Sequence, residues 1–482
     1  MGTWNLVDKP PDAIPISNKF VFTKKRDNAG NTIKYKARLV AKGYAQRPGF
    51  DYVDTHSPVV WMEAIRAILA IAPMQKLIIH QLDIKGAYLN SMLKEKIYMK
   101  QPKGYGDGTG RVCQLIKTLY GLKQAGREWN LELDRKMQGK GYVRLRSDAC
   151  VYIWHMDDDF VIITVWVDDM LLFSTTVEFK EKVIADVSSE WEITDLGTPT
   201  KIVGIKLMIS PDHISISSTG YINAILARER MDGCNAVSTP LDPNVALVPN
   251  PEINEVNQSN DFVRLLGELQ SISNATRPDI TYLVNRLASY TGNPSLQHYT
   301  TLKRILRYLS GTKTYQITYK AVSQGDSFKG FTDAAYANAD ESQSTIGYVF
   351  MASGAAITWS SKRLMLMSLS STQAEYVVLS EAACEVCWLR NLYTELGLLD
   401  ESQPTTIVGD NEGAIALAHN PQFHKRTKHI ETRWHWIRKL VQEGTIAIKS
   451  CHNPDQTADI LTKALYRVKH LHHTQGMGLA PA

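Results

Sequence analysis

Two adjacent carboxylates, Asp168 and Asp169, are the residues whose placement in this chain points most directly to chemistry. They interrupt an apolar run, FVIITVWVDDMLLF, that covers Phe160–Phe173. Short apolar runs on both sides of such a pair are typical of two buried strands joined by a tight hairpin. Like charges held between buried strands repel each other, and a bound divalent cation such as Mg²⁺ removes that repulsion. The alternative interpretation is that Asp-Asp only forms the turn, because Asp favours turns.

A second apolar strand ends in a carboxylate. The segment KLIIHQLDIKGAYLN contains a predicted strand from Leu77 to Leu82, followed by Asp83. If this strand neighbours the Asp168–Asp169 hairpin, three carboxylates converge. Three carboxylates around two magnesium ions are the arrangement used for nucleotidyl transfer.

The last third of the chain carries four isolated acids, each at the end of a predicted strand or the start of a predicted helix. They are Asp333, Glu375, Asp410 and Asp459, with Asp459 expected near the start of a last helix. Together they form a second candidate two-metal site. Carboxylates near helix N-termini are also favourable because of the helix dipole, so any one of them alone would be unremarkable.

The intervening elements are predicted from periodicity and turn signals. Residues 17–47 read as strand, turn and strand, with a turn at Asn28–Asn31 and many basic residues. These residues suit phosphates, but on this segment alone solvated charges on an exposed hairpin are the favoured interpretation. A helix is expected around Met62–Met74, and a proline-rich domain boundary near residue 240. Two amphipathic helices are expected after that boundary, the second with Lys303, Arg304 and Arg307 on a polar side. From residue 328 the pattern indicates a three-stranded meander and a long helix. Its predicted core face comprises Val378, Ala382, Val386, Leu389 and Leu396.

Composition sets broad limits on the class of protein. The 482 residues, 44% hydrophobic and 21% charged, are ordinary for a globular protein of two to four domains, and the net charge of +5 permits a polyanionic partner. No apolar run reaches the ~20 residues of a membrane span, and the start lacks the apolar core of a signal peptide. The six cysteines are too sparse for a disulfide framework, which indicates a reducing, intracellular compartment. Cys384 and Cys387 form a lone C-x-x-C, which we interpret as two buried thiols on one helix face rather than a zinc site.

Taken together, the motifs resemble those of a known family. The order and spacing of YKARLVAKGYAQ, QLDIKGAYLN, LYGLKQAGREW, VDDML, TRPDI, LRYLSGT, SSTQAEY, DNEGAI and ADILTK are similar to the reverse transcriptase–ribonuclease H portion of copia-type LTR retrotransposon polyproteins. The resemblance runs from Trp4 to about Lys463, and the two carboxylate sets fall where that family has its polymerase and nuclease metal sites.

The resemblance implies an α+β architecture. A right-hand polymerase with fingers and palm would occupy residues 1–240, a helical thumb-connection 241–325, a ribonuclease H-like α/β domain 326–465 and a His-rich tail 466–482. It also implies that the enzyme copies RNA into DNA and hydrolyses the RNA strand of RNA–DNA hybrids. The expected partners are an RNA template, a DNA primer, the hybrid and deoxynucleoside triphosphates, with no membrane. The expected location is intracellular, in cytoplasmic particles, the nucleus or both.

The resemblance also implies roles for individual residues. Two Mg²⁺ ions per active site, which Mn²⁺ can replace, would be held by Asp83, Asp168 and Asp169 in the polymerase and by Asp333, Glu375, Asp410 and Asp459 in the nuclease. Lys36 and Arg38 would grip the triphosphate. Tyr88 would crowd a ribose 2′-hydroxyl, and Tyr120 and Gly121 would open the segment that packs against the templating base pair. His429, His435 and His452 are interpreted as structural rather than catalytic.

The chain departs from the family pattern at a few positions. Trp166 precedes the Asp pair where the family usually has Tyr, and Gly126 and Gln373 replace a usual Pro and a usual acid. No protease or integrase motif precedes Trp4, so we expect a fragment of a longer polyprotein. The alternative to an active enzyme is a catalytically inactive remnant that still binds nucleic acid; a nuclease with a dead polymerase is a third, weaker interpretation.

Overall fold

The computed structural model describes residues 2–26, 32–251, 257–321, 328–338, 343–364, 370–419, 431–451 and 455–482. The predicted turn at Asn28–Asn31 lies outside these residues, as do His429 and His452 and the side chain of His435. The chain divides into two compact units: Met1–Val60 with Ile78–Thr198, and Trp61–Leu77 with Pro199–Ala482. The α+β fold class predicted from the sequence is confirmed.

The described elements are these strands and helices, in chain order. The strands are β1 (Trp4–Val7), β2 (Asn18–Arg26), β3 (Thr32–Ala41), β4 (Ile78–Ile84), β5 (Tyr98–Met99), β6 (Val112–Leu115), β7 (Val143–Arg144), β8 (Val151–Met156), β9 (Asp159–Trp166), β10 (Asp169–Ser174), β11 (Ile193–Gly197), β12 (Lys201–Ile202), β13 (Ile205–Ile209), β14 (His213–Ser217), β15 (Tyr315–Lys320), β16 (Lys329–Ala335), β17 (Thr345–Ala352), β18 (Ala355–Arg363), β19 (Thr405–Gly409), β20 (Ile446–Ser450) and β21 (Leu479–Pro481). The α-helices are α1 (Met62–Ile71), α2 (Ala125–Gly139), α3 (Val177–Glu190), α4 (Thr219–Arg228), α5 (Asn257–Thr276), α6 (Thr281–Ala288), α7 (Leu296–Gly311), α8 (Ser371–Glu395), α9 (Glu412–His419), α10 (Glu431–Gln442) and α11 (Arg467–Gly476).

The first unit is built on an antiparallel sheet of six strands in the order β11-β4-β10-β9-β8-β7. The apolar runs of β9 and β10 are almost wholly buried, as expected for central strands with both faces covered. Helices α2 and α3 contribute Trp129, Leu133, Phe179 and Val183 to the core beside the sheet. Strand β4 pairs with β10, so the condition under which Asp83 would converge with Asp168 and Asp169 is met.

A separate two-stranded sheet, β2–β3, forms the basic hairpin predicted for residues 17–47. Successive side chains of a strand alternate between faces, so Arg38 and Lys36 share one face of β3. Cross-strand pairing sets Val21 opposite Arg38 and Thr23 opposite Lys36. Both basic side chains are half-buried, whereas Phe22 and Tyr35 are exposed.

The second unit contains a five-stranded mixed sheet in the order β18-β17-β16-β19-β20. The first three strands are the predicted antiparallel meander, and β19 and β20 add in parallel to β16. The long helix α8 packs against this sheet. Its predicted core face is confirmed, since all five residues, from Val378 to Leu396, are buried.

Helices α4 to α7 form a second core in the same unit. It includes Leu226, Leu269, Leu283 and Leu306. At its edge the fully buried Arg277 binds the carboxylate of Asp279 through Nε and Nη2, at 2.9 and 2.7 Å. The hydroxyl of Tyr308 also donates to Asp279, at 2.6 Å. A buried charge is tolerated only when it is paired in this way, so the TRPDI motif has a structural role. In α7, Arg304 and Arg307 bond to Thr239 Oγ1 and Asn235 O, so they are used within the chain.

The segment from 466 to 482, predicted as a tail, contains α11 and β21. Strand β21 pairs with β15 and completes a five-stranded antiparallel sheet, β12-β13-β14-β15-β21. His470 and His473 of α11 are buried. The domain boundaries given in the sequence analysis stay predictions. The expectation that Asp459 begins a last helix is wrong in detail: Thr457–Leu461 is a short 3₁₀ helix, and α11 follows it.

Helix α1 belongs to the second unit although both flanking segments belong to the first. Arg66 in its middle is buried, which the helical pattern did not reveal. Its guanidinium donates to the carbonyl oxygens of Ile357 at 2.6 Å and Asn274 at 2.6 Å, and it lies 3.9 Å from the ring centre of Trp359. None of the helices in the described part of the chain combines the length and apolar character of a membrane-spanning helix.

Candidate active sites: two carboxylate clusters

Asp83 and Asp169 are directly opposed across the antiparallel strands β4 and β10 of the first unit. Asp168 lies in the two-residue turn between β9 and β10, beside Val167, whose φ of 59° is the left-handed conformation that such a turn needs. All three carboxylates are partly exposed, so they line an accessible surface at the end of buried strands. The structure thus brings together the three acids that the sequence analysis selected.

Backbone contacts fix this turn. The Ile84 N–H donates to Asp168 O at 2.8 Å, and the indole Nε1 of Trp129 donates to Val167 O at 2.7 Å. The Gln81 side chain donates to Asp169 Oδ1 at 3.4 Å. The carboxylates are therefore positioned by strand register and by a buried tryptophan, and not by the turn alone.

Two tyrosines and an arginine surround the acids. The rings of Tyr88 and Tyr120 meet edge to face with centroids 5.1 Å apart, and the Arg38 guanidinium lies 5.5 Å from the Tyr120 centroid. Burial, and then the negative charge of Asp168, raise the pKa of both phenols above the ordinary value. The predicted residues Tyr88 and Tyr120 therefore lie in the electrostatic field of Asp168, and Arg38 lies beside Tyr120.

Gly121 is a glycine for a steric reason. Its φ is +92°, and a Cβ there would lie 2.1 Å from Ala41 O. The Ala41 N–H also donates to Tyr120 O at 2.8 Å, so the end of the basic hairpin and the Tyr120–Gly121 segment are in backbone contact. This contact holds the β3 end next to the tyrosine pair.

The second cluster lies at the sheet of the second unit. Asp333 is on β16, Asp410 directly follows β19, and Asp459 is in the 3₁₀ helix Thr457–Leu461. One oxygen from each lies within 4.8 Å of the others. Within the described ranges this is the one set of three potential ligands found so close together, so Asp83, Asp168 and Asp169 are less tightly grouped.

Glu375, the fourth predicted acid, lies on α8 beside this trio. Its Oε1 accepts the Ala334 N–H at 3.0 Å. Burial, followed by repulsion from Asp333 and Asp410, raises the pKa of Glu375 to about 9. Burial likewise raises the pKa of Asp333 to about 6, and that of Asp410 lies above its ordinary value because of burial and Asp459. Such pKa values indicate a surplus of buried negative charge.

Sequence reasoning missed one residue of this cluster, Lys463. Its Nζ lies 2.9 Å from Asp459 Oδ1 and 3.5 Å from Asp333 Oδ2. Burial lowers the pKa of Lys463, but attraction to Asp333 and Asp459 outweighs this effect and holds the pKa above its ordinary value. The four-residue spacing of Asp459 and Lys463 was the available signal, because such a spacing lets opposite charges meet on one helical turn.

The donor set of the second cluster fits a hard divalent cation. Its ligands are carboxylate oxygens, which Mg²⁺ and Mn²⁺ prefer. Both Asp459 oxygens are buried, and the Lys463 ammonium lies 2.9 Å from Oδ1. Buried carboxylates that already attract an ammonium, combined with the raised pKa of Glu375, are the properties of a cation site.

Comparisons with known proteins identify the family to which this chain is similar. The family described as reverse transcriptase (RNA-dependent DNA polymerase) matches residues 1–243. The chain is 36% identical over 483 residues to the retrovirus-related Pol polyprotein from transposon TNT 1-94 of Nicotiana tabacum, which covers 97% of this chain and 36% of that protein. It is 37% identical over 473 residues to that from transposon RE1 of Arabidopsis thaliana, covering 96% of this chain and 32% of the relative. A putative transposon Ty5-1 protein of Saccharomyces cerevisiae is 30% identical over 312 residues, covering 63% of this chain and all of the relative.

Among solved structures, the foamy viral protease-reverse transcriptase in complex with RNA/DNA hybrid has a TM-score of 0.50 and 12% identity. The match covers 93% of this chain and 51% of that one, and it is a likeness of fold. The present chain spans about a third of the length of the two plant polyproteins. The family implies use of a divalent metal. The predicted resemblance to copia-type transposon polyproteins is confirmed, and the chain belongs to the reverse transcriptase (RNA-dependent DNA polymerase) family.

Proposed function

We propose that this chain copies RNA into DNA at Asp83, Asp168 and Asp169, and that it hydrolyses the RNA strand of RNA–DNA hybrids at Asp333, Glu375, Asp410 and Asp459. The observation that carries the proposal is the cross-strand register of Asp83 and Asp169, with Asp168 in the adjoining turn, in a chain of the reverse transcriptase family. The proposed substrates are an RNA template with a DNA primer, deoxynucleoside triphosphates and the hybrid product.

In the polymerase reaction, the primer 3′-oxygen bonds to the α-phosphorus of the incoming nucleotide. The bond from that phosphorus to the bridging oxygen breaks, and pyrophosphate leaves. Bound Mg²⁺, or Mn²⁺ in its place, supplies Lewis-acid activation and charge neutralisation at this centre. The three carboxylates would hold the cation, at positions fixed by the strand register.

The residues around the acids have separate tasks in this proposal. Arg38 and Lys36, on one face of β3, offer positive charge to the triphosphate. The Tyr88 ring is held by its edge-to-face contact with Tyr120 and would exclude a ribose 2′-hydroxyl. Gly121 lets the Tyr120 segment approach the end of β3 closely.

In the nuclease reaction, a water oxygen bonds to phosphorus in the RNA strand and the bond to the ribose 3′-oxygen breaks, which leaves a 3′-hydroxyl and a 5′-phosphate. Asp333, Asp410 and Asp459 would hold the metal, because their oxygens lie within 4.8 Å of one another. Glu375 packs against the same strand end and would complete the ligand set. Selection of a hybrid would use its A-form-like shape and the 2′-hydroxyl groups of one strand.

The test is primer extension on an RNA template and cleavage of a labelled RNA–DNA hybrid by the purified chain, both with Mg²⁺. Asp168→Asn and Asp333→Asn are reciprocal controls. We expect Asp168→Asn to lose extension and keep cleavage, and Asp333→Asn to do the reverse. A folded chain that binds the hybrid but does neither reaction would contradict the proposal and identify an inactive remnant. Cleavage without extension would overturn the polymerase half alone.

A further inference from the structure

The ammonium of Lys463 lies inside the carboxylate cluster of the second unit. It is 2.9 Å from Asp459 Oδ1 and 3.5 Å from Asp333 Oδ2, and these two acids form the close trio with Asp410. In a metal ion site, the same oxygens would contact a divalent cation. The lysine therefore uses ligand atoms that a metal would need.

The main chain around Lys463 is firmly held, but its head group is not enclosed. Asn338 Nδ2 donates to Thr462 O at 2.8 Å, the Lys463 N–H donates to Asp459 O at 3.2 Å, and the Thr462 hydroxyl donates to Asp333. The Lys463 side chain is nevertheless 40% exposed, whereas those of Asp333 and Asp459 are 3% and 1% exposed. The long flexible stem can thus carry the ammonium outward while the acids stay in place.

A cation and this ammonium cannot both occupy the cluster. Magnesium contacts its oxygen ligands at about 2.1 Å. An ammonium at hydrogen-bonding distance from the same oxygen would then lie only a few ångströms from a doubly charged ion. Two positive charges this close repel strongly in a poorly solvated site. Without either cation, the three carboxylates, two of which are buried, would repel one another.

We propose that Lys463 is a positioning residue of the nuclease site. Its ammonium keeps Asp333 and Asp459 converged while no metal is bound, and it gives up its place when a divalent cation enters. This inference rests on the proposed nuclease function, since it assigns the cluster to metal binding. The free energy by which Lys463 stabilises the metal-free protein is lost when a metal binds. By thermodynamic linkage, this loss weakens the apparent metal affinity by the corresponding factor.

The experiment measures metal binding and does not depend on activity. The full chain with Asp168→Asn and Asp169→Asn serves as parent, so that the first cluster contributes little to binding. Free Mn²⁺ is quantified by electron paramagnetic resonance during titration of the parent and of Lys463→Met, Lys463→Gln and Lys463→Arg added to it. Thermal unfolding is recorded with chelator and with saturating Mn²⁺.

The two uncharged variants should bind Mn²⁺ at least about tenfold more tightly than the parent, the equivalent of about 1.4 kcal/mol. In chelator they should unfold at a lower temperature than the parent, and Mn²⁺ should raise their unfolding temperature by more. Lys463→Arg should restore the parent values. Lys362→Met is the matched control, because Lys362 also pairs with an acid of this unit, Glu381 at 3.3 Å, but outside the cluster. It should leave the Mn²⁺ affinity unchanged.

Equal or weaker Mn²⁺ binding by both Lys463→Met and Lys463→Gln would overturn the inference while leaving the proposed function intact. If Lys463→Met fails to fold, Lys463→Gln, which keeps a polar head group, decides the same comparison. A parent whose Mn²⁺ binding is absent, and is therefore unaffected by Asp410→Asn, would overturn the metal-dependent nuclease and the inference with it.

Discussion

Asp83 and Asp169 are directly paired residues of adjacent antiparallel strands, β4 and β10. Side chains of such a pair project from the same face of a sheet, with Cβ atoms about 5 Å apart. Their convergence is therefore a property of backbone register, which neutral side chains of the same shape would preserve. A substitution by Asn can therefore remove the charge of either acid while its position in the sheet is kept.

Replacing either acid by Asn should abolish primer extension without unfolding the protein. Loss of a residue that only supports a metal ligand commonly costs 10- to 100-fold, so loss of a ligand itself should cost more than about 100-fold. Single-nucleotide incorporation rates for Asp83→Asn and Asp169→Asn measure the effect. Asp195→Asn on β11 is the control, because Asp195 is an exposed acid paired with His80 at 2.6 Å. An equal loss in the control would mean that charge near this sheet, and not ligation, is what matters.

The pH dependence of stability should reveal the crowded charge around Glu375. Its pKa is about 9 in the folded protein against an ordinary 4.5, so the folded state retains a proton that the unfolded chain releases above about pH 4.5. The stability associated with that proton is fully present below pH 4.5 and is lost as the pH rises to about 9. Asp333, with a pKa of about 6, adds the same sign of effect over a lower range.

With chelator present, the unfolding temperature should therefore fall from pH 5.5 to 8.5 more steeply in the wild type than in Glu375→Gln. If the fall in unfolding temperature is about 5 °C larger in the wild type than in Glu375→Gln, the difference in stability is roughly 2 kcal/mol for a unit of this size. Circular dichroism melts at the two pH values provide the measurement. Parallel pH profiles for the two proteins would contradict the assignment.

Replacing the buried Arg66 should lower the stability of the protein more than replacing most other charged residues. Its guanidinium satisfies the carbonyls of Ile357 and Asn274 at 2.6 Å each and lies over the Trp359 ring. Arg66→Met would leave the buried Ile357 carbonyl without its donor, at about 1–3 kcal/mol, and would remove the part-buried bond to Asn274 O, so we expect at least about 2 kcal/mol of destabilisation in urea unfolding. Glu63→Gln is the comparison, because it alters only the partly exposed side of the network and should cost less than about 1 kcal/mol.

Tyr88 should control the choice between deoxyribonucleotides and ribonucleotides. Its ring is fixed against Tyr120, with centroids 5.1 Å apart. Tyr88→Ala removes the ring, and a steric contact of this kind is worth about 1–3 kcal/mol, so discrimination against ribonucleotides should fall by at least about tenfold. The ratio of kcat/KM for dATP and ATP measures it. Tyr88→Phe keeps the ring and should keep the discrimination; a loss in both variants would assign the effect to the hydroxyl.

The parts of the fold that the sequence predicted are those determined by local pattern. The alternation of apolar runs and acids located the β9–β10 hairpin, β4 and the strand that carries Asp333, and helical periodicity located the core face of α8. The burial of Arg66 was not predictable, since a basic residue in an amphipathic helix is normally solvated and its partners lie 208 and 291 residues away. The pairing of β21 with β15 was equally hidden, because three residues give no periodic signal.

The candidate sites show the same division. Conspicuous acids at strand ends were found, but Lys463 was overlooked because its charge has meaning only once Asp333, which is 130 positions earlier in the chain, is beside it. The 3₁₀ conformation around Asp459 also depends on tertiary bonds, such as that from Gln456 to Thr332 O at 2.9 Å.

The membership of α1 in the second unit has a consequence for biosynthesis. The carbonyl of Ile357 that receives Arg66 lies 291 residues downstream. At roughly 5–20 residues per second, a ribosome needs about 15–60 s to make that interval. During this time the first unit's flanking segments are available to each other while the apolar face of α1 has no permanent partner. The nascent chain therefore carries a helix whose packing partner, β18, is made only near the end of that interval.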